Sequence, residues 1–308
     1  MSSLHNDFIN TYCNIACLAH FRREYENSWV DIDRSHEVSA IREYLLNDNV
    51  GIDYLNHMVS TEFQNTQFVL KFASVFCHQK PGVKRTENNK LLNPGDTPGC
   101  ELGDLFVLFL LMDGNDNVHY SAGSIFQAKL TAKLDSKTQR HLYDYDNEFV
   151  LPKYICAGRK LHSNIRKMPT YAEGRANAFR YLILNPSCGV ERITARHSPW
   201  TNNYQLRWST FIDGLLSGVD GLKVNLDSNT GSSWDEIVKD LLWVVANVKK
   251  NKPPRGNNDA VKIATGLFNN YSNIKERCAI YDEGGEYGMP LMLIIAHAPD
   301  YKGDVINY

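Results

Sequence analysis

Leu105 to Met112, LFVLFLLM, is an unbroken apolar run, and a second apolar stretch, SIFQAKL, follows at Ser124 to Leu130. Between them lies DGNDNVHYSAG, whose Asp113-Gly114-Asn115-Asp116-Asn117 opening concentrates the residues that tolerate tight reversal. Two apolar runs joined by such a turn predict an antiparallel hairpin. The first run is apolar at every position, so it predicts a central strand covered on both faces rather than an amphipathic edge. A chain with such a strand must build layers of other elements over it.

Those layers are sought in the rest of the sequence. Aromatic and charged residues at helical spacing predict helices over Phe8 to Glu24 and Ser35 to Leu46. Ser60-Thr61-Glu62 leads into Phe63, Phe68, Val69, Phe72, Val75 and Phe76, which predicts a third helix stopped by Pro81-Gly82. The polar segment from Lys80 to Gly99 reads as a loop. KLDSKTQRHLYDY predicts a short helix, RANAFRYLILNP and GLKVNL predict strands, and MPLMLIIAHAP predicts a last buried strand. SWDEIVKDLLWVVANVKK has acids in its first turn and lysines at its end, the charge order that the helix dipole favours. The one composition break large enough for a boundary runs from Leu161 to Ala172. The expected organisation is a helical region 1–60, a core 61–160 and a C-terminal elaboration 161–308 packed on it, or one continuous domain.

Composition narrows the class of protein. With 308 residues, 43% hydrophobic and 22% charged, the chain can bury a sizeable core. Its longest apolar run falls far short of the roughly 20 residues that span a membrane, and MSSLHNDFIN lacks the basic and apolar regions of a signal peptide, so a cytoplasmic location is expected. Seven cysteines, an odd number without a framework, fit reduced thiols. Cys13, Cys17 and His20 could share a helix face, but no second ligand pair follows at zinc-site spacing. A net charge of -2 excludes a global basic field, which leaves local patches as the places where nucleic acid could be held.

Three polar residues interrupt the hairpin. Asp104 stands at the mouth of the first run, and Gln127 and Lys129 lie near the end of the second. Side chains alternate along a strand, so Gln127 and Lys129 share one face while Phe126 and Ala128 share the other. Hydrolysis of a phosphodiester needs a cation that neutralises the phosphate oxygens and acidifies the attacking water. Mg²⁺ takes hard oxygen ligands and keeps several waters, so a carboxylate and an amide oxygen, Asp104 and Gln127, can supply the protein share. Lys129 can hold the water or the transition-state charge. Read separately, Asp104 would cap a turn, Gln127 would satisfy a backbone group and Lys129 would reach for water. That reading does not say why two polar groups share one face of an apolar run, where an unpaired lysine is costly to bury. Glu101 competes with Asp104 for the metal, although it precedes Gly103 and so falls in the loop.

An acid at the start of one strand followed by glutamine, any residue, lysine on the next resembles the PD-(D/E)XK nuclease superfamily, in the variant where glutamine replaces the second acid. The segment from ELGD to FQAK carries the resemblance, which covers Thr61 to Asp146. It implies an α/β fold with a restriction-endonuclease-like core, a mixed central sheet flanked by helices, with additional helices and a C-terminal elaboration. It implies Mg²⁺ or Mn²⁺ held by Asp104 and Gln127, and Glu62 as the acid on the helix before the first strand. In some branches a glutamine or tyrosine on the following helix lines the site, the place of Gln139 and Tyr143 here. The implied activity is metal-dependent endonuclease cleavage, with DNA favoured over RNA. The implied context is restriction or antiviral defence, with a co-encoded regulatory or helicase-type partner and an oligomer as further options.

Outside this segment, GRKLHSNIRK gathers Arg159, Lys160, Arg166 and Lys167, a patch suited to phosphate contacts or simply a solvated loop. Two further function classes stand beside the enzyme. One is a catalytically inactive nuclease-fold subunit that binds nucleic acid or builds a complex. The other is an unrelated interaction protein that presents Trp208, Phe211 and Trp234 as an interface.

Overall fold

The computed structural model describes residues 2–15, 18–76, 82–85, 99–133, 137–152, 163–226, 232–247 and 289–301. Four helices open the chain: α1 Ser3–Ile15, α2 Leu18–Asn27, α3 Glu37–Leu46 and α4 Gly51–Met58, followed by a 3-10 turn at Ser60–Phe63. The strands β1 Val69–Val75, β2 Gly82–Arg85, β3 Gly99–Glu101, β4 Leu105–Asp113 and β5 Val118–Lys129 come next, then α5 Lys137–Asp144. The remaining elements are β6 Glu148–Val150, β7 Ile165–Lys167, the single turn α6 Arg175–Ala178, β8 Phe179–Ile183, β9 Thr194–His197, β10 Gln205–Arg207, α7 Trp208–Ser217, β11 Leu222–Lys223, α8 Ser233–Asn247 and β12 Leu291–Ala298.

The result is an α/β protein built on a mixed sheet. Among the described residues the main sheet runs β1-β12-β4-β5-β8-β9-β10, with β11 pairing β5, and a smaller sheet runs β3-β2-β6-β7. The β4–β5 hairpin forms as the turn residues require, with Leu105 opposite Phe126 and a register shift beside Met112. Strand β12 pairs parallel to β4 on its other side, and β8 pairs parallel to β5. All nine residues of β4 are buried. Its alternate residues feed two separate cores. Phe106, Leu108 and Leu110 meet Trp234, Ile237 and Leu241 of α8, together with Leu142 and Tyr143 of α5. Leu105, Val107 and Phe109 face Phe8, Tyr12, Phe21 and Tyr44 of the N-terminal helices, together with Trp208 and Phe211 of α7. Helices therefore cover both faces of the sheet, as an all-apolar strand demands.

Three expectations are corrected. The stretch from Glu62 onward is a 3-10 turn and then strand β1, not a helix. Leu70 and Phe72 enter one core while Ala73 and Val75 enter the other, so a run buried on both faces satisfied a helical period and a strand period alike. The polar segment expected as a loop contributes β2 and β3 at its ends. Trp208, Phe211 and Trp234 are all buried, at 0 to 1% exposure, and so belong to the cores rather than to an interface. Among the described residues no helix is long and apolar enough to cross a membrane.

Candidate functional site

The hairpin register places the three polar residues together. One step beyond the Leu105–Phe126 pair, Asp104 stands across from Gln127. The Asp104 N–H donates to the Phe126 carbonyl at 2.7 Å, and the Ala128 N–H donates back to Asp104 Oδ2 at 2.7 Å. Gly103 makes this closure possible. A Cβ on it would stand 2.5 Å from Ile125 Cγ2 and 3.0 Å from both the Phe126 carbonyl and the Tyr143 hydroxyl, closer than packed atoms allow.

Gln127 is fully buried. Its Nε2 donates to the Glu101 carbonyl at 3.0 Å, while Oε1 has no hydrogen-bond partner. An unsatisfied buried amide oxygen is costly and calls for a donor or a cation. Tyr143, brought in by α5, donates its hydroxyl to the Leu102 carbonyl at 2.8 Å. Burial, with the Asp104 charge adding, holds its pKa well above the usual tyrosine value, so it stays protonated. Gln139 lies one turn earlier on α5, on the face that Tyr143 shares.

Lys129 is 7% exposed, and its Nζ lies 3.7 Å from Glu37 Oε2. The other oxygen of Glu37 accepts the Leu130 N–H at 3.1 Å. Glu37 is the first residue of α3, where the helix dipole favours a carboxylate. Asp104 feels all of these groups. Desolvation raises its pKa from 3.8 to about 7, with the negative charges of Glu101 and Glu37 adding to the rise and the Lys129 ammonium and Ala128 N–H opposing it. Desolvation outweighs the two groups that oppose it.

Glu62, the acid expected to complete this set, lies elsewhere. It is 44% exposed and 3.9 Å from His20 Nε2. The turn that carries it precedes Val69, which pairs with His297, which pairs in turn with Met112. That is the far end of β4 from Asp104, roughly 25 Å along the strand at about 3.3 Å per residue. Glu37 occupies the position that Glu62 was expected to fill. Its only sequence signal is an acid opening an amphipathic helix, which the dipole alone explains.

The expected phosphate-binding patch also divides. The Arg166 guanidinium is buried against Asp240, at 2.6 Å from Nε, and its Nη1 donates to the Ser163 and Ile165 carbonyls. Committed in this way, it cannot reach a phosphate without breaking a buried ion pair. Lys167 is exposed at the end of β7, and Arg159 and Lys160 lie outside the described residues. Arg85 of β2 is likewise buried against Asp146.

No protein-family model, curated protein or solved structure matches this chain. Among the described residues no three His, Cys, Asp or Glu side chains gather as a ready metal cage. What the site holds is the Asp104 carboxyl, the Glu37 carboxylate paired with Lys129, and the Gln127 oxygen without a hydrogen-bond partner.

Proposed function

We propose that this chain is a metal-dependent nuclease that hydrolyses phosphodiester bonds of DNA. The observation that carries the reading is the meeting of Asp104, Gln127, Lys129 and Glu37 at one end of the sheet, with the buried Gln127 Oε1 left without a donor. The order hairpin β4–β5, helix α5, then β8 parallel to β5 supports a restriction-endonuclease-like core.

Asp104, Gln127 Oε1 and Glu37 are the groups that would hold Mg²⁺ or Mn²⁺. When bound, the cation would supply neutralisation of the phosphate oxygens and acidification of the attacking water. Asp104 would have to give up its proton to serve as a ligand, so binding of the cation would strengthen as pH rises. Lys129, released from Glu37, would donate to the water or to the charge that builds on the phosphate. The Tyr143 hydroxyl holds the Leu102 carbonyl, and Gly103 leaves the room that lets the chain before Asp104 close on Phe126.

The test is incubation of the purified protein with plasmid, linear DNA and RNA in Mg²⁺, Mn²⁺ or EDTA. Metal-dependent cleavage that Lys129→Ala abolishes, with DNA affinity retained, is the expected result, because the lysine acts chiefly in the transition state. Equal cleavage by wild type and Lys129→Ala would remove the lysine from the chemistry. The pairing of Lys129 with Glu37 favours one second reading, a catalytically inactive nuclease-fold subunit in which that ion pair is permanent. Absence of cleavage on every substrate and metal, with tight DNA binding, would select it.

A further inference from the structure

A second constellation surrounds Asp144, the residue that closes α5. Asp144 is buried, and its carboxylate accepts the Tyr181 hydroxyl at 2.9 Å, the Trp200 N–H at 2.7 Å and Arg140 Nε at 3.3 Å. Its carbonyl accepts the Tyr171 hydroxyl at 3.1 Å. One buried residue thus ties together α5, β8 and the loops before α6 and after β9. Around that hub, aromatic rings alternate with guanidinium groups. Arg140 donates to the Tyr145 hydroxyl at 3.2 Å, and the Arg196 guanidinium stands 4.6 Å from the Trp200 ring centroid. Arg196 is held there by the Asn202 and Trp200 carbonyls.

Packing does not account for the surface these rings show. Tyr145 is 41% exposed and Tyr171 43%, yet each hydroxyl is pinned, so both rings are presented at little further entropic cost. The cluster is also continuous with the candidate site. Gln127 pairs across the sheet with Tyr181, and Tyr181 pairs with Arg196, so the three side chains form one row on one face. The Tyr181 ring lies 5.4 Å from Tyr143 on one side and 4.6 Å from Trp200 on the other.

We propose that Tyr145, Tyr171 and Trp200, with Arg140 and Arg196, form a stacking platform for unpaired nucleotides of single-stranded DNA entering the candidate site. The exposed rings of Tyr145 and Tyr171, with half-buried Trp200 beside them, suit an unpaired strand: bases would stack on the rings and phosphates would meet the guanidinium N–H groups that the protein leaves over. A duplex hides its base faces and offers nothing to the rings. The choice of DNA rests on the nuclease reading; the preference for an unpaired strand rests on the platform itself. Glu173, bonded to Thr170, is the exposed acid beside Tyr171, and the Asp144 carboxylate is enclosed by its donors, Arg140 among them, so stacking rather than net charge would hold the strand.

The experiment is fluorescence anisotropy in EDTA, where cleavage plays no part, with a labelled oligothymidine of about twenty nucleotides, long enough to cover a single-strand site. A duplex and an oligouridine of equal length are the competitors. The oligothymidine is expected to bind at least about tenfold more tightly than the duplex, and Tyr145→Ala with Tyr171→Ala to weaken it by about tenfold or more per ring. The matching Phe variants, which keep the rings, should bind within about twofold of wild type. Wild-type affinity in the double Ala variant, tighter binding of duplex, or tighter binding of oligouridine would each overturn the proposal. A wild-type protein that binds in this ring-dependent way but cuts nothing in any metal would leave the platform standing and remove the nuclease. One that cuts duplex DNA while the Ala variant binds normally would do the reverse.

Discussion

Glu37 Oε2 stands 3.7 Å from Lys129 Nζ, and through its other oxygen Glu37 holds the Leu130 N–H just beyond the end of β5. An acid from the N-terminal helices is therefore fastened to the strand that carries Gln127 and Lys129. Glu62, on the turn after α4, is fastened to His20 at the opposite end of the sheet.

The first expectation follows from that contrast. Glu37→Gln should lower cleavage by about 10²-fold or more, the usual effect of removing one placed charge from an active site. Glu62→Gln should change it by less than about twofold, as surface substitutions do. Plasmid nicking rates for the two variants decide between them, and equal losses would return Glu62 to the site.

Stability should depend on pH through Asp104. Its pKa is higher in the folded chain, about 7, than the ordinary 3.8, so between those values the folded state binds the extra proton. In metal-free buffer Asp104 therefore weakens the fold as pH rises from about 4 through 7, and the full penalty is present above 7. Asp104→Asn should raise the melting temperature at pH 8 and leave it nearly unchanged at pH 4. A variant less stable than wild type at pH 8 would mark Asp104 as a structural cap.

Gln127 separates a working glutamine site from a decayed one. Gln127→Glu should preserve cleavage and tighten Mg²⁺ affinity, since a carboxylate replaces the unsatisfied amide oxygen. Gln127→Leu supplies no oxygen and loses the bond to the Glu101 carbonyl, worth about 1 kcal/mol, so a folded but inactive protein is expected. Isothermal titration with Mg²⁺ and a cleavage assay read the two effects, and activity in the leucine variant would dismiss Gln127 as a ligand.

Arg166 should behave as a structural residue. Arg166→Ala breaks the buried ion pair with Asp240 and should cost about 3 to 5 kcal/mol of stability. Lys167→Ala should cost nearly nothing. Chemical denaturation measures both, and a stable Arg166→Ala protein with weakened DNA binding would restore the phosphate role.

Local pattern determined much of this protein. The β4–β5 hairpin, α5, α8, β8 and β12 all follow from turn residues, apolar spacing or terminal charge order, because each of those signals is complete within a few neighbouring residues. The facing of Asp104 and Gln127 needed more than the turn, because the register shifts by one residue between Leu111 and Met112, and the register at the turn would have set Asp104 against Phe126.

Tertiary structure decided the rest. Val69 to Val75 became a strand because β12, more than two hundred residues away in the chain, pairs with it and separates it from β4. No local period could distinguish that strand from a helix, since its apolar residues from Phe72 to Val75 are buried on both faces. Glu37 reached Lys129 only because α3 packs across the sheet, and Arg166 and Arg85 were withdrawn from solvent by acids that other elements supply. Burial and ion pairing depend on what stands opposite a residue, and in this chain the opposing group comes from a distant segment.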